Sequence, residues 1–288
     1  MQLNALPEFF DNQTSSLQLA AKAAMAAGQI VRDGYDLVHR VEVKDVGDLV
    51  SKVDFDAEKA AVAVLQSDPA NLTVVSEELN PQVSDENQDM WIVDPLDATT
   101  AYLMKAGPQF PSVLIAKRVG GQTKLGITYF PLSDEWFYAI QGQNAWKNGV
   151  PLNMKRNDVG LEKAWVELNQ YGNSKFETPF VKAAHSVLRS SRGARIVTST
   201  FPHAGVAMRI AEEKTGLMVA IHDNNPESLK QGPWDIAANQ LIFEEAGGVF
   251  VNPSGKRTSL FKAEPIIIAP SMDLAQQVID SCLQSNHG

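Results

Sequence analysis

The stretch Trp91-Ile92-Val93-Asp94-Pro95-Leu96-Asp97-Ala98-Thr99-Thr100 decides how the rest of the chain is interpreted. Its apolar start predicts a short buried strand that ends at Asp94. Pro95 then turns the chain, and the two threonines can begin a helix. Two carboxylates, the Leu96 carbonyl and free backbone N–H groups would meet there, which suits a Mg²⁺-assisted reaction of a phosphate. A strand end with an Asx turn and a helix cap fits the same ten residues.

Composition and charge limit the class of protein. The 288 residues are 44% hydrophobic and 20% charged, as in ordinary globular proteins with room for one large domain or two closely packed halves. The formal charge of −9 disfavours a nucleic acid polymer or an anionic membrane surface as partner. No apolar run reaches the length of a bilayer span.

The expected compartment follows from the cysteine content and the N-terminus. Cys282 is the single cysteine, which excludes a disulfide framework and a thiolate metal site. Residues 1–20 lack the basic segment and apolar core of a signal peptide. We therefore expect a cytoplasmic protein.

Two kinds of pattern divide the chain near residue 150. In the first half, a helix from about residue 16 to 33, a second helix after Ser51 and alternating apolar residues over 110–151 predict helices packed on an antiparallel sheet. In the second half strands, one of them at 194–198, alternate with helices, which predicts an α/β layer. We expect an N-terminal α+β half, 1–150, with most metal ligands, and a C-terminal α/β half, 151–288, with Asp235 and part of the substrate pocket.

Four carboxylates lie at the predicted ends of strands and helices: Glu77, Asp94, Asp97 and Asp235. Glu77 follows a predicted strand at 72–76, and it would lie next to Asp94 if the two strands were side by side. Two like charges about 4 Å apart repel by on the order of 4 kcal/mol at an effective dielectric constant near 20, so cations would stabilise the group. The all-oxygen ligands favour Mg²⁺, Mn²⁺ or Ca²⁺ over Zn²⁺. A helix N-cap is the alternative role for Asp235.

An acidic metal cluster beside helix N–H groups fits a phosphate, and two Mg²⁺ ions could bind the attacking water and the leaving oxygen. Thr99, hydrogen-bonded to Asp54, could orient and deprotonate that water. Asp54 also fits a capping box with Ser51, in which it only stabilises a helix start. Neither GxxxxGK[ST] nor GxSxG occurs, so water is favoured over a nucleotide or an active-site serine as reactant.

Four segments of the chain carry longer motifs in a fixed order. Residues 91–100 resemble W-[IV]-[IV]-D-P-[IL]-D-G-T-T, and residues 233–248 resemble W-D-x-A-A…E-A-G-G. Leu49-Val50-Ser51 with Asp54, and Ser76-Glu77-Glu78, match two shorter blocks. Together they resemble the inositol monophosphatase family of Mg²⁺-dependent, lithium-sensitive phosphatases over nearly the whole chain. The resemblance implies an alternating α/β/α/β/α sandwich, with an antiparallel sheet in the N-terminal half and a second, mixed sheet in the C-terminal half.

The resemblance also implies a role for each site residue. Glu77, Asp94 and the Leu96 carbonyl would bind the first metal ion, and Asp94, Asp97 and Asp235 the second. The implied catalytic residues are Asp54, Glu77 and Thr99. The implied substrate-binding residues are Asp97, Ala98, Thr99 and Asp235, with phosphate on the backbone N–H groups of Ala98 and Thr99.

The same resemblance implies cofactors, partners and an activity. It implies two to three Mg²⁺ ions, with Mn²⁺ as a substitute, and a homodimer, because family members are commonly dimers. We expect a phosphomonoesterase acting on a small polyol or sugar phosphate, inositol monophosphate first. A 3′(2′),5′-bisphosphate nucleotidase, a fructose-1,6-bisphosphatase and a histidinol-phosphatase share the chemistry. A catalytically inactive protein that binds metal and phosphate, and a structural dimer whose acids are only caps, are alternatives of another class.

The chain departs from the family pattern around the expected substrate. Ala98 stands where the family usually has glycine, and alanine would add strain if the position needs a positive φ. Residues 200–205 lack the Gly-Ser-Ala-Ala segment that helps form the pocket in relatives, and 224–233 also differ. We therefore expect an intact metal site with altered substrate walls.

Overall fold

A computed structural model describes residues 5–37, 41–45, 48–155, 160–169, 179–190, 203–223 and 232–284. The helices in these ranges are α1 (Ser15–Gly34), α2 (Lys52–Leu65), α3 (Thr99–Leu103), α4 (Pro179–Ser190), α5 (His203–Glu212), α6 (Pro233–Glu245) and α7 (Met272–Gln284). The strands are β1 (Val41–Asp45), β2 (Asp48–Ser51), β3 (Thr73–Ser76), β4 (Met90–Asp97), β5 (Ser112–Val119), β6 (Gln122–Phe130), β7 (Glu135–Ile140), β8 (Ala145–Lys147), β9 (Val150–Leu152), β10 (Trp165–Asn169), β11 (Met218–His222), β12 (Val249–Val251) and β13 (Ile266–Ala269). The strand predicted at 194–198 lies outside the described residues. Among the described helices, none combines the length and the apolar composition that crossing a membrane requires.

Five alternating layers of helices and sheets form the fold, which confirms the predicted α/β/α/β/α sandwich. α1 and α2 pack on the outer face of a seven-stranded sheet, β3 to β9 in chain order. α5 and α6 separate this sheet from a mixed four-stranded sheet of order β10-β11-β13-β12. α4 and α7 cover the far face of the second sheet. The division of the chain near residue 150 remains a prediction.

Residues of β4 alternate between two hydrophobic cores. Trp91 and Val93 pack with α1 and α2, whereas Met90 and Ile92 pack in the core between the sheets. A sheet covered on both faces requires apolar residues at consecutive positions. This explains why the strand is a continuous apolar run, and all of its residues are buried.

β4 extends further than the sequence predicted. It continues through Pro95 to Asp97, with an irregular register against β5 between Asp94 and Asp97, so the prediction that it ends at Asp94 was wrong. A proline is tolerated inside a strand at such an irregularity, where one ladder hydrogen bond is already missing. The bend brings both carboxylates to the same edge of the sheet.

The seven-stranded sheet is antiparallel except between β3 and β4, which run parallel. Ser76 lies opposite Val93, so the next residues, Glu77 and Asp94, are neighbours at the ends of the two strands. The Glu77 backbone N–H continues the ladder by donating to the Val93 carbonyl at 3.3 Å. The two strands therefore lie side by side, which was the condition for Glu77 to lie next to Asp94.

α6 is the element of the second half that packs most closely on the first sheet. Gly126 of β6 permits this approach, because a Cβ atom there would lie 2.9 Å from the Ala238 Cα. α6 begins after Gly232 and places Asp235 in its first turn, where the carboxylate accepts the Gly232 N–H at 2.8 Å. Asp235 is therefore not the N-cap residue, and the packing of α6 carries it to the edge where β4 ends.

Candidate metal centre

Three carboxylates from β4 and α6 meet at the edge of the first sheet. Asp94, Asp97 and Asp235 each offer one oxygen, and these oxygens all lie within 4.8 Å of one another. Asp94 and Asp97 are buried and Asp235 is half-buried. Oxygens about 2.1 Å from a Mg²⁺ ion lie about 3–4 Å apart, so small adjustments would let one ion contact all three.

Burial raises the pKa of Asp94 well above its usual value, because the charged form loses hydration. The negative charges of Glu77, Asp97 and Asp235 raise this pKa further. The Leu96 N–H opposes the shift by donating to Asp94 Oδ1 at 3.0 Å. The predicted repulsion within the acidic group is therefore present, and a cation would relieve it.

Asp97 lies in a similar environment with more hydrogen bonds. Burial raises its pKa well above the usual value, and the charge of Asp235 adds to the shift. Ser112 Oγ lies 3.1 Å from Asp97 Oδ2, and this bond and those from the backbone N–H groups of Ala98 and Ala204 lower the pKa. These donors fix the orientation of the carboxylate. The Ala98 N–H, predicted to bind phosphate, thus donates to Asp97.

Glu77 lies at the end of β3, half-buried, with its charge facing Asp94. Its oxygens are not among the three that meet within 4.8 Å. The structure thus brings Glu77 to the side of the three-carboxylate cluster next to Asp94. This is the side on which the first metal ion was expected.

Thr99 and Asp54 are in contact, as their predicted pairing requires. The Thr99 hydroxyl lies 2.7 Å from Asp54 Oδ1 and 3.0 Å from the Leu96 carbonyl oxygen. Asp54 Oδ2 accepts both the backbone N–H and the hydroxyl of Ser51, each at 2.8 Å, in a capping box. Burial raises the pKa of Asp54, while the bonds from Thr99 and Ser51 oppose the shift. Asp54 therefore serves as a helix cap and also contacts Thr99.

Ala98 adopts the left-handed conformation, with φ 71° and ψ 40°, immediately before α3. Glycine accepts this conformation without strain, whereas the alanine Cβ approaches a neighbouring carbonyl oxygen. The strain that the sequence predicted for a positive φ is therefore present. This strained residue lies between the metal cluster and the start of α3.

Three contacts at the site were not predicted from the sequence. Ser112 and the Ala204 N–H reach Asp97 from β5 and α5, which no local pattern indicates. Glu58 is fully buried and accepts three hydrogen bonds from the segment around Glu77. Its position four residues after Asp54, on the same face of α2, was the available signal. The predicted differences at 200–202 and 224–231 lie outside the described residues.

The family model described as the inositol monophosphatase family matches residues 12–286. The protein belongs to this family. The match spans almost the entire chain and supports a phosphatase of this family. An inositol monophosphatase of Mesembryanthemum crystallinum is 30% identical over 246 residues, covering 83% of this chain and 86% of the relative. The Nus factor SuhB of Pasteurella multocida is 25% identical over 256 residues, covering 88% and 91%.

Solved structures of this family have the same fold. The IMPase of Thermotoga maritima aligns with a TM-score of 0.75 and 23% identity over 95% of this chain and 99% of that one. An IMPase/NADP phosphatase complexed with Mg²⁺ and phosphate aligns at 0.69 and 23%, over 88% and 90%. A staphylococcal inositol monophosphatase-1, soaked with 100 mM LiCl as an inhibitory complex, aligns at 0.70 and 21%, over 88% and 89%. At these identities the likeness concerns the fold.

Replacing Ala98 with glycine should stabilise the protein. The left-handed conformation costs alanine about 1–2 kcal/mol, and the greater freedom of glycine in the unfolded chain offsets about 0.5–1 kcal/mol of the relief. We expect Ala98→Gly to raise the free energy of unfolding by up to about 1 kcal/mol in urea denaturation. The matched control is Ala63→Gly on the exposed face of α2, which should lower it by about 0.5–1 kcal/mol. An equal decrease of the free energy of unfolding in both variants would contradict strain at Ala98.

Magnesium should stabilise the protein more at neutral pH than in mild acid. Because the pKa values of Asp94 and Asp97 are raised, the folded protein holds protons that the unfolded chain releases as pH rises above about 4. These bound protons stabilise the folded state relative to the unfolded chain, and the stabilisation is lost as pH rises through the folded-state pKa values. Mg²⁺ restores it by taking the place of the protons between the carboxylates. Melting temperatures with Mg²⁺ and with a chelator, at neutral pH and at a pH of about 5, provide the measurement. A Mg²⁺ effect that is independent of pH would contradict the raised values.

Proposed function

We propose that this protein is a Mg²⁺-dependent phosphomonoesterase that hydrolyses a small polyol or sugar phosphate, with inositol monophosphate as the leading substrate. One observation carries the proposal: the oxygens of Asp94, Asp97 and Asp235 lie within 4.8 Å of one another in a member of a phosphatase family. Acids that are far apart in sequence rarely meet in a buried position unless a cation or a hydrogen-bond network compensates their charge.

The donor set supports Mg²⁺ as the cofactor. The candidate ligands are carboxylate oxygens and the Leu96 carbonyl, and hard oxygen donors are what Mg²⁺ prefers. Glu77, Asp94 and Leu96 would hold a first ion, and Asp94, Asp97 and Asp235 a second. We propose two to three ions, with Mn²⁺ as a substitute. Bound Mg²⁺ would acidify a coordinated water and withdraw charge from the phosphate.

The side chains of this protein would perform three tasks around the metal. Thr99, held by Asp54 at 2.7 Å, would orient the attacking water and pass its proton towards the carboxylate. The Thr99 N–H at the start of α3 would bind a phosphate oxygen, and the Ala98 N–H could join it by exchanging Asp97 for phosphate. Glu77 would help to activate the attacking water on the side of Asp94. Asp97 and Asp235 would accept hydrogen bonds from substrate hydroxyls.

Three other phosphatase activities are alternatives to the hydrolysis of inositol monophosphate. The bisphosphate nucleotidase, fructose-1,6-bisphosphatase and histidinol-phosphatase activities use the same metal chemistry. The family also contains proteins called Nus factor SuhB, so the name of a relative does not identify a substrate. A homodimer and a cytoplasmic location are part of the proposal. The proposal includes neither a nucleic acid polymer nor a membrane as a partner.

A metal- and phosphate-binding protein without turnover is the second candidate. The observation that favours it is Ala98, whose strained backbone lies where phosphate would bind. A glycine at that position could shift at little energetic cost, whereas alanine has fewer accessible conformations. Mg²⁺ binding in calorimetry, without hydrolysis of any phosphate monoester, would favour this candidate.

A substrate panel with matched variants tests the proposal. We expect Mg²⁺-dependent release of phosphate from inositol monophosphate or one of the three related substrates, with inhibition by Li⁺. Asp97→Asn should remove most of this activity, a loss of about 10²-fold or more, because a metal ligand loses its charge. Asp89→Asn, at an exposed position just before β4 and at the opposite end of that strand from the three-carboxylate cluster, is the matched control and should retain full activity. Absence of hydrolysis across the panel, or full activity of Asp97→Asn, would overturn the proposal.

Thr99→Ala should reduce turnover far more than metal affinity. The hydroxyl that contacts Asp54 is lost, so kcat should fall by about 10²–10⁴-fold. The Mg²⁺ concentration for half-maximal activity should change by no more than about threefold, because no proposed metal ligand is removed. Thr100→Ala, one residue along α3, is the control. An unchanged kcat for Thr99→Ala would remove Thr99 from the mechanism.

A further inference from the structure

α2 carries two buried carboxylates that point to the ends of two different strands. Asp54 and Glu58 are four residues apart, so they lie one above the other on one face of the helix. They are 1% and 0% exposed, which is unusual for acidic side chains. Asp54 contacts Thr99 after β4, as described above. Glu58 contacts the segment that follows β3.

All three hydrogen-bond donors to Glu58 flank Glu77. Ser76 Oγ donates to Glu58 Oε1 at 2.6 Å, and the Leu79 backbone N–H donates to the same oxygen at 2.8 Å. The Glu78 backbone N–H donates to Oε2 at 2.7 Å. Glu58 thus binds the residue before Glu77 and the two residues after it, so its carboxylate fixes the backbone on both sides of Glu77.

These bonds are strong because the acceptor is charged and removed from water. Hydrogen bonds to an ionised carboxylate are shorter and about twice as strong as neutral ones. None of the ion pairs among the described side chains includes Glu58, so its charge is stabilised by the three donors of segment 76–79. A buried carboxylate without these donors would be costly, which couples the position of α2 to the path of this segment.

The two carboxylates of α2 together link the start of α3 to the turn that carries Glu77. Asp54 holds the start of α3, next to Asp97, and Glu58 holds the turn that carries Glu77. Both are anchored in one rigid helix that packs on β4. The same turn is held by the Glu77 N–H bond to the Val93 carbonyl at 3.3 Å and by the Ser76 N–H bond to the Asn80 carbonyl at 3.0 Å. Glu58 adds the side-chain bonds that tie this turn, and with it the backbone of Glu77, to α2.

We propose that Glu58 is a positioning residue for the first metal site: through Ser76, Glu78 and Leu79 it holds Glu77 at the distance from Asp94 at which the two share a Mg²⁺ ion. This inference rests on the proposed function in that it takes Glu77 as a metal ligand. Glu58 itself contacts neither metal nor substrate. It acts by holding a ligand in place before the ion binds.

The test is Glu58→Gln, which keeps the size of the side chain. Its amide NH₂ would face a backbone N–H where an oxygen now accepts, so part of the turn would lose its anchor. Loss of a residue that orients a ligand weakens metal binding by about 10–100-fold, and we expect about tenfold weaker Mg²⁺ binding in calorimetry. The Mg²⁺ concentration for half-maximal activity should rise equally. Saturating Mg²⁺ should restore kcat, with the substrate KM unchanged.

Asp68→Asn is the matched control. Asp68 follows the far end of α2, is nearly buried, and accepts hydrogen bonds from the Ala70 N–H, Trp91 Nε1 and Lys117 Nζ at 2.9–3.0 Å. From Asp54 to Leu65, the last residue of α2, the helix rises by about 16 Å at about 1.5 Å per residue, and Asp68 lies beyond that end. We expect this variant to melt at a lower temperature than the wild type, with unchanged Mg²⁺ affinity. A general loss of stability would affect both variants alike.

The outcomes separate this inference from the proposed function. If Glu58→Gln folds and binds Mg²⁺ as tightly as the wild type, Glu58 has only a structural role and the inference is overturned. If it fails to fold, Ser76→Ala decides: Mg²⁺ binding weakened by about two- to threefold supports the inference, and unchanged binding overturns it. A wild type that binds Mg²⁺ but hydrolyses no substrate overturns the proposed function alone, since calorimetry still measures the effect of Glu58. A wild type that binds no Mg²⁺ overturns both.

Discussion

Repulsion between buried carboxylates is the constraint on which this site depends. Asp94, Asp97 and Asp235 approach one another within 4.8 Å at an edge where water is largely excluded. Such an arrangement opposes folding unless hydrogen bonds, protons or cations compensate it. The fold supplies part of the compensation through the Leu96 and Ser112 donors. The remainder is available as binding energy for a divalent ion.

The surrounding structure holds these charges in place through backbone and side-chain donors. β3 and β4 are parallel, which aligns their ends, and α2 contacts the segments that follow both. Strain at Ala98 lies at the same point. A stable sheet and a well-packed helix can support one unfavourable residue of this kind. The site is therefore built from elements whose positions are set by two large hydrophobic cores.

Much of this arrangement follows from local sequence patterns. The apolar run into Asp94, the acid after the strand at 73–76 and the cap at Ser51 each have a local physical cause, so the strands, α2 and the neighbouring positions of Glu77 and Asp94 were predictable. The passage of β4 through Pro95 was not, because the bulge depends on pairing with β5. Ser112 and Ala204 reach Asp97 only after distant segments pack. The sequence left open whether Asp54 caps α2 or contacts Thr99, and the structure shows contacts for both roles.

The close packing of α6 against β6 has a consequence for how the chain can be divided. α6 covers the inner face of the first sheet, where Leu114, Ala116 and Phe137 are buried. A fragment ending before α6 would expose this apolar face to solvent and would lack Asp235. Such a fragment should self-associate, and separately expressed pieces should regain a soluble state only when mixed. The three carboxylates can therefore meet only when the two sheets have packed together through α6.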